Sequence, residues 1–234
     1  KGLSASQIAG SLGGTTRNAV IGKVHRLNLQ QRAISKKIDD NKSPLVLLLH
    51  GFGSNEEDLF SFAQFINISA TVVSLRAPIE LFPNSYAWYN IYYSGSVKSY
   101  DLIAAKDIRD KIIKELDFLI KEFNCDPERV TIIGFSQGAI LGHSIVQCSG
   151  GKVKNLIALS GYIDKDLISF KNNNTSIYIS HGINDEVIPF KESYDTNKLY
   201  DENHIKYHFE SFEQGHGVNS ENLKSFLKWL EDKY

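Results

Sequence analysis

Short apolar runs alternate along this chain with longer segments in which apolar residues recur every three or four positions. Pro44-Leu45-Val46-Leu47-Leu48-Leu49-His50 is almost wholly apolar, as expected of a central strand buried on both faces of a parallel sheet. Thr71-Val72-Val73-Ser74-Leu75, Val130-Thr131-Ile132-Ile133, residues 155–159 and Ser176-Ile177-Tyr178-Ile179 repeat that pattern, and residues 205–210 read as the last strand. Between them lie helical periods. Ala105, Ile108, Ile112, Leu116, Leu119 and Phe123 form one stripe over residues 101–123, which Asn124 and Pro127 bring to an end. Residues 191–203 and 219–234 read as the last two helices, and Asn172-Asn173-Asn174 as a turn. Strands alternating with helices predict an α/β fold, with a mostly parallel sheet covered on both faces. Residues 79–100 follow neither period but hold Phe82, Tyr86, Trp88, Tyr89, Tyr92 and Tyr93. Either this insertion lines a pocket or forms a small lid, with Trp88 and Tyr89 as candidate substrate contacts, or it is a surface loop whose aromatics pack inward.

The polar residues that follow the strands carry the candidate chemistry, because open parallel sheets place their sites at the carboxyl ends of their strands. After 130–133 comes Gly134-Phe135-Ser136-Gln137-Gly138. A nucleophilic serine at a sharp strand-to-helix turn adopts a strained backbone and brings the residues two before and two after it together, which asks for glycine at both. Asp185 lies in the loop after 176–179, and His216 in the loop after 205–210. Asp164 and Asp166, after the preceding strand, are the competing acids. Among the seven histidines, only His216 lies in a loop beyond the last strand. His50 and His181 precede glycines at strand ends and read as loop-shaping groups. The order Ser136, Asp185, His216 is that of the α/β-hydrolase triad and not of the chymotrypsin or subtilisin arrangement. The oxyanion hole then falls to the backbone N–H of Phe52, in His50-Gly51-Phe52-Gly53, and to that of Gln137. The Gln137 side chain is left to fix the loop.

These residues resemble the phospholipase/carboxylesterase family, which includes acyl-protein thioesterases. Leu48-Leu49-His50-Gly51-Phe52-Gly53 with Glu57-Asp58-Leu59, Arg76-Ala77-Pro78, Ala87-Trp88-Tyr89, Gly134-Phe135-Ser136-Gln137-Gly138-Ala139, His181-Gly182 with Asp185, Val187 and Pro189, and Gly215-His216 carry the resemblance from about residue 44 to 229. Asn90 departs from it, since relatives often carry an acid there. The resemblance implies an α/β-hydrolase fold and a serine hydrolase of carboxylic esters or acyl thioesters, acting on a small acyl substrate. No cofactor is expected, and no metal either, because no Cys/His cluster has ligand spacing. The same hydrolase fold without turnover, serving as a binding protein, is the blander alternative.

Composition changes the picture at the amino end. Residues 1–40 carry seven Lys/Arg against two Asp/Glu, while residues 41–234 carry 19 against 25. Ser4-Ala5-Ser6-Gln7 has capping-box form, Gly13-Gly14 ends a first helix, and a basic second helix follows over 17–27. That pair resembles the helix-turn-helix of the GcrA cell-cycle regulator family, DNA-binding transcription regulators of alphaproteobacteria. The resemblance implies a further helix ahead of the pair. The expected organisation is a partial helix-turn-helix segment over 1–34, a linker over 35–43 and a hydrolase domain over 44–234. The first segment is read foremost as a relic of a truncated or fused reading frame. A DNA-binding module, making the whole chain a DNA-binding regulator with nucleic acid as partner through residues 1–34, and a helical arm are the other readings. A chain that lacks methionine and starts at Lys1 is expected to be truncated or processed. Cys125 and Cys148, too few for a disulfide framework, suggest a reducing, cytoplasmic compartment. No apolar run approaches the roughly 18 residues of a membrane span, and a monomer or homodimer is expected.

Overall fold

The computed structural model describes residues 31–35, 42–95, 97–170 and 174–234. The helix pair read over residues 4–27, and part of the 172–174 turn, lie outside the described residues. The frame is a seven-stranded sheet in the order β1-β3-β2-β8-β9-β10-β11. It is built from β1 (Gln31–Ser35), β2 (Ser43–Leu49), β3 (Thr71–Leu75), β8 (Cys125–Phe135), β9 (Asn155–Leu159), β10 (Ser176–Gly182) and β11 (His208–Phe212). All neighbours run parallel except β1, which pairs antiparallel with β3. The chain builds outward from β2 to β3 and then returns to the other side of β2 with β8. The crevice where a ligand belongs therefore opens at the carboxyl ends of β2 and β8.

Alternation along β2 decides how the layers pack. Leu45, Leu47 and Leu49 face one core and Val46 and Leu48 the other, all fully buried. On the first face lie α2 (Leu102–Glu122), α3 (Gln137–Cys148) and Tyr200 of α4 (Lys191–Glu202). The stripe expected on α2 from Ala105 to Phe123 is the buried one. On the second face lie Leu59 of the short α1 (Glu56–Phe60) and Phe226 and Leu230 of α5 (Ser220–Glu231). Side chains cap three helices: Asn55 accepts from the Glu57 N–H, Asp101 from Ala104 and Asn219 from Asn222.

Three expectations change. Residues 31–35, divided by the sequence reading between a helical segment and a linker, form an edge strand, because the ladder Gln31↔Leu75 to Ser35↔Thr71 takes up their backbone groups. The last strand starts at His208 and not at Ile205. The Ile205 N–H donates to the Tyr200 carbonyl at 2.9 Å, closing the end of α4, so the ladder opens at Tyr178↔His208. Residues 79–100 are not a plain loop but form two hairpins, β4 (Ile79–Phe82) with β5 (Ser85–Ala87) and β6 (Ile91–Ser94) with β7 (Val97–Tyr100). Among the described residues, no helix is long and apolar enough to cross a membrane.

His143 lies fully buried in α3 with Nδ1 2.7 Å from the Tyr200 hydroxyl, and burial lowers its pKa to about 3. The unfolded chain binds the proton near the ordinary histidine value of about 6.5. The contribution is therefore intact above that pH and is lost as pH falls toward 3. Urea unfolding should show His143 costing about 2 kcal/mol of stability between pH 7 and pH 5. His143→Leu should remove that part of the slope; an unchanged slope would contradict it.

Candidate active site

Between β8 and α3 the chain reverses within one residue. Ser136 sits at φ 53° and ψ −117°, a conformation that L-residues avoid and that persists only when its surroundings enforce it. Two glycines show what enforces it. A Cβ built at Gly134 would lie 2.4 Å from the Gly138 carbonyl oxygen, and one at Gly138 would lie 2.0 Å from that of Leu49. The first turn of α3 thus rests directly on the ends of β8 and β2. The Ser136 N–H donates to the Leu159 carbonyl at 2.9 Å, tying the turn to β9. The hydroxyl stands at the positive end of α3.

Asp185 and His216 arrive from the far side of the sheet. Asp185 follows β10, and its Oδ1 accepts the N–H groups of Val187 at 2.9 Å and Ile188 at 2.8 Å. Its Oδ2 lies 2.7 Å from His216 Nδ1, and His216 Nε2 lies 2.9 Å from Ser136 Oγ. A carboxylate can only accept, so Nδ1 carries the proton and Nε2 is the acceptor for the serine hydroxyl. His181 donates from Nε2 to the Ile188 carbonyl at 2.8 Å and stands 3.4 Å from Asp185 Oδ2, bracing the acid loop from behind. The acid and histidine loops also meet backbone to backbone: a Cβ at Gly182 would lie 2.4 Å from the carbonyl oxygens of Gln214 and Gly215. The Gln214 side chain bonds the Gly217 carbonyl at 2.7 Å and the Asn219 N–H at 2.8 Å, shaping the loop that carries His216. The Phe135 ring packs 4.9 Å from the His216 ring.

The three residues singled out from the sequence are thus brought into one hydrogen-bonded line. The competing Asp164 instead accepts the Asp166 N–H in a local turn. Of the oxyanion candidates, Gln137 is the first residue of α3, where a helix leaves its N–H unpaired. Phe52 lies in the loop after β2, and its N–H takes part in no backbone hydrogen bond among the described residues. Trp88 and Tyr89, expected as candidate substrate contacts, lie directly beside this loop. Both are buried, at 1% and 3% exposure, because the Gln137 side chain binds their backbone at 3.0 and 2.9 Å and draws the segment inward. The sequence reading missed Gln214 and the pairing of Arg76 with Glu56. Arg76 donates from Nε and Nη2 to the buried Glu56 carboxylate at 2.6 Å each; an arginine directly past a strand end and an acid at a helix start were the available signal. Among the described residues, no group of three or more His, Cys, Asp or Glu could hold a metal ion.

Residues 30–233 match the family model described as phospholipase/carboxylesterase. Residues 1–47 match the model of the GcrA cell cycle regulator, and the stretch common to both contains β1, which belongs to the sheet. Acyl-protein thioesterase 1 of Kluyveromyces lactis is 26% identical over 209 residues, covering 80% of this chain and 90% of the relative. The protein of the same name from Candida albicans is 26% identical over 211 residues, with the same coverage. Among solved structures, the Bacillus cereus carboxylesterase superposes with a TM-score of 0.79 at 21% identity, over 92% of this chain and 99% of that one. A carboxylesterase from Mesorhizobium loti gives 0.73 at 17% identity, over 87% and 95%. At these identities the two structures bear on the fold alone.

Gly138→Ala should cost at least about 3 kcal/mol in denaturant unfolding, because the methyl group would meet fixed backbone. Gly217→Ala, where a Cβ meets nothing within 4 Å, should change stability by less than about 1 kcal/mol. Equal effects at the two glycines would contradict the contact assigned to Gly138.

Proposed function

The chain belongs to the phospholipase/carboxylesterase family, and from that premise we propose that it hydrolyses carboxylic esters or acyl thioesters with Ser136 as nucleophile. The observation that carries the reading is the line from Asp185 Oδ2 through His216 to Ser136 Oγ, with links of 2.7 and 2.9 Å. His216 Nε2 takes the proton as Ser136 Oγ attacks the acyl carbonyl, and Asp185 holds the imidazole in the needed tautomer and stabilises its cation. The N–H groups of Phe52 and Gln137 stabilise the tetrahedral oxyanion, each contributing roughly 3 kcal/mol by analogy with other hydrolases. The intermediate collapses, the C–O or C–S bond breaks, and His216 returns its proton to the departing alcohol or thiol. Water then attacks the acyl-enzyme with His216 again as base, releasing the acid and restoring Ser136.

Two features favour an acyl group with a hydrophobic portion. Phe52, on the oxyanion loop, and Ile183 and Val187, on the acid loop, expose apolar side chains, and the relatives from Kluyveromyces lactis and Candida albicans are acyl-protein thioesterases. The free thiols of Cys125 and Cys148 support a cytoplasmic location. DNA contact through residues 1–34 is a second reading, resting on the GcrA match alone. It requires a salt-dependent gel shift that deletion of those residues abolishes.

Ser136→Ala should lower kcat by roughly 10⁶ on p-nitrophenyl esters and on an acyl thioester while leaving thermal unfolding in place. Near wild-type turnover by that variant would overturn the assignment. Within a series of increasing acyl length, kcat/KM should rise beyond acetate; a steady decline from acetate would contradict the apolar acyl site.

A further inference from the structure

The two N–H groups assigned to the oxyanion come from different elements, so their spacing depends on whatever fixes the loop after β2 against α3. Three buried side chains span that distance. Gln137 accepts the Trp88 N–H through Oε1 at 3.0 Å and donates through Nε2 to the Tyr89 carbonyl at 2.9 Å. The Trp88 indole Nε1–H donates to the His50 carbonyl at 2.8 Å, and the two rings lie 5.2 Å apart. His50 Nε2 accepts the Ala77 N–H at 3.1 Å. That leaves the proton on Nδ1, which donates to the Gly51 carbonyl at 2.7 Å. Burial, the largest influence, lowers the His50 pKa and keeps the ring in this neutral form.

The Gly51 carbonyl and the Phe52 N–H belong to one planar peptide unit. Across a trans peptide they point in opposite directions, and no cis bond occurs among the described residues. Holding the carbonyl against the imidazole therefore aims the N–H the other way. Gly51 itself lies against the nucleophile, since a Cβ built there would be 3.3 Å from Ser136 Cβ. We infer that His50 is a positioning residue which, through the Gly51 carbonyl, sets the direction of the Phe52 N–H, while Trp88 and Gln137 lock that setting to the amino end of α3. The inference rests on the acyl-transfer reading above and adds a second histidine that never touches substrate. It predicts that transition-state binding depends on a side chain walled off from the acyl group.

The test compares His50→Leu, His50→Asn and Trp88→Phe with the unaltered chain. It measures thermal unfolding, kcat and KM on a p-nitrophenyl ester, and affinity for an alkyl trifluoromethyl ketone, whose serine adduct places an oxyanion between the same N–H groups. His50→Leu should lower kcat on the order of 10²-fold with KM nearly unchanged, and ketone affinity should fall in parallel. His50→Asn, whose side-chain amide can reach the place of Nδ1–H, should recover most of that loss. Trp88→Phe, which removes only the indole donor, should lose about tenfold. A folded His50→Leu protein with unaltered kcat and ketone affinity overturns the inference, and so does a fall in thermal stability unaccompanied by either. If His50→Leu does not fold, Trp88→Phe decides in its place, and normal kcat and ketone affinity there overturn the inference equally. Activity surviving in Ser136→Ala would sink the acyl-transfer reading itself, whereas an inactive Ser136→Ala beside normal His50 variants would sink this inference alone.

Discussion

The site depends on one close approach: the first turn of α3 lies against the end of β2, so near that Gly138 has no room for a Cβ beside the Leu49 carbonyl. A helix that starts flush with a neighbouring strand leaves a single residue in which to turn, and Ser136 takes the positive φ that results. Such strain persists only where the surroundings over-determine it, and here two strands, a helix and the bond to Leu159 do so. The same contact sets the Gln137 N–H beside the loop that carries Phe52. The strained serine, the positive helix end and the two candidate N–H donors therefore share one cause.

Around that point the sheet acts as a jig. Its registers bring Leu49 level with Gly134, and Gly182 level with Phe212, so the loops after β2, β8, β10 and β11 leave one edge together. Each loop is then held by polar contacts of its own. Asp185 is anchored by two backbone N–H groups before it meets His216. The loop after β2 is tied on its outer side to the β4–β5 hairpin, where the Gly53 N–H donates to the Tyr86 carbonyl and the Tyr86 N–H to the Ser54 carbonyl, both at 2.8 Å. Arg76 joins the two by clasping Glu56 at the start of α1 while its guanidinium lies 4.7 Å from the centre of the Tyr86 ring. A catalytic constellation needs this kind of support, because its side chains must be held to within a fraction of an ångström.

What could be read from the sequence follows from the range of the forces involved. The buried strands were legible because burial on both faces leaves continuous apolar runs, and Ser136 because its turn demands glycines at fixed offsets. Asp185 and His216 were legible through their places after strands and their order. The edge strand β1 was not, because Gln31-Arg32-Ala33-Ile34-Ser35 has little strand character of its own and gains it by pairing with Thr71–Leu75. The hairpins of residues 79–100 are too short to show a period. Trp88 could be flagged as an aromatic near a site, but its burial depends on Gln137, about fifty residues later in the chain, reaching its backbone at 3.0 Å. Contacts of that range leave no local mark.

The central claim is that Ser136 becomes covalently acylated at the elbow between β8 and α3. Rapid-quench mass spectrometry during turnover of a p-nitrophenyl ester tests it most directly. The account predicts an acyl mass on the peptide that contains Ser136, appearing before steady state and decaying when substrate is exhausted. Turnover with no acyl group on Ser136, or with one carried by another residue, would contradict it.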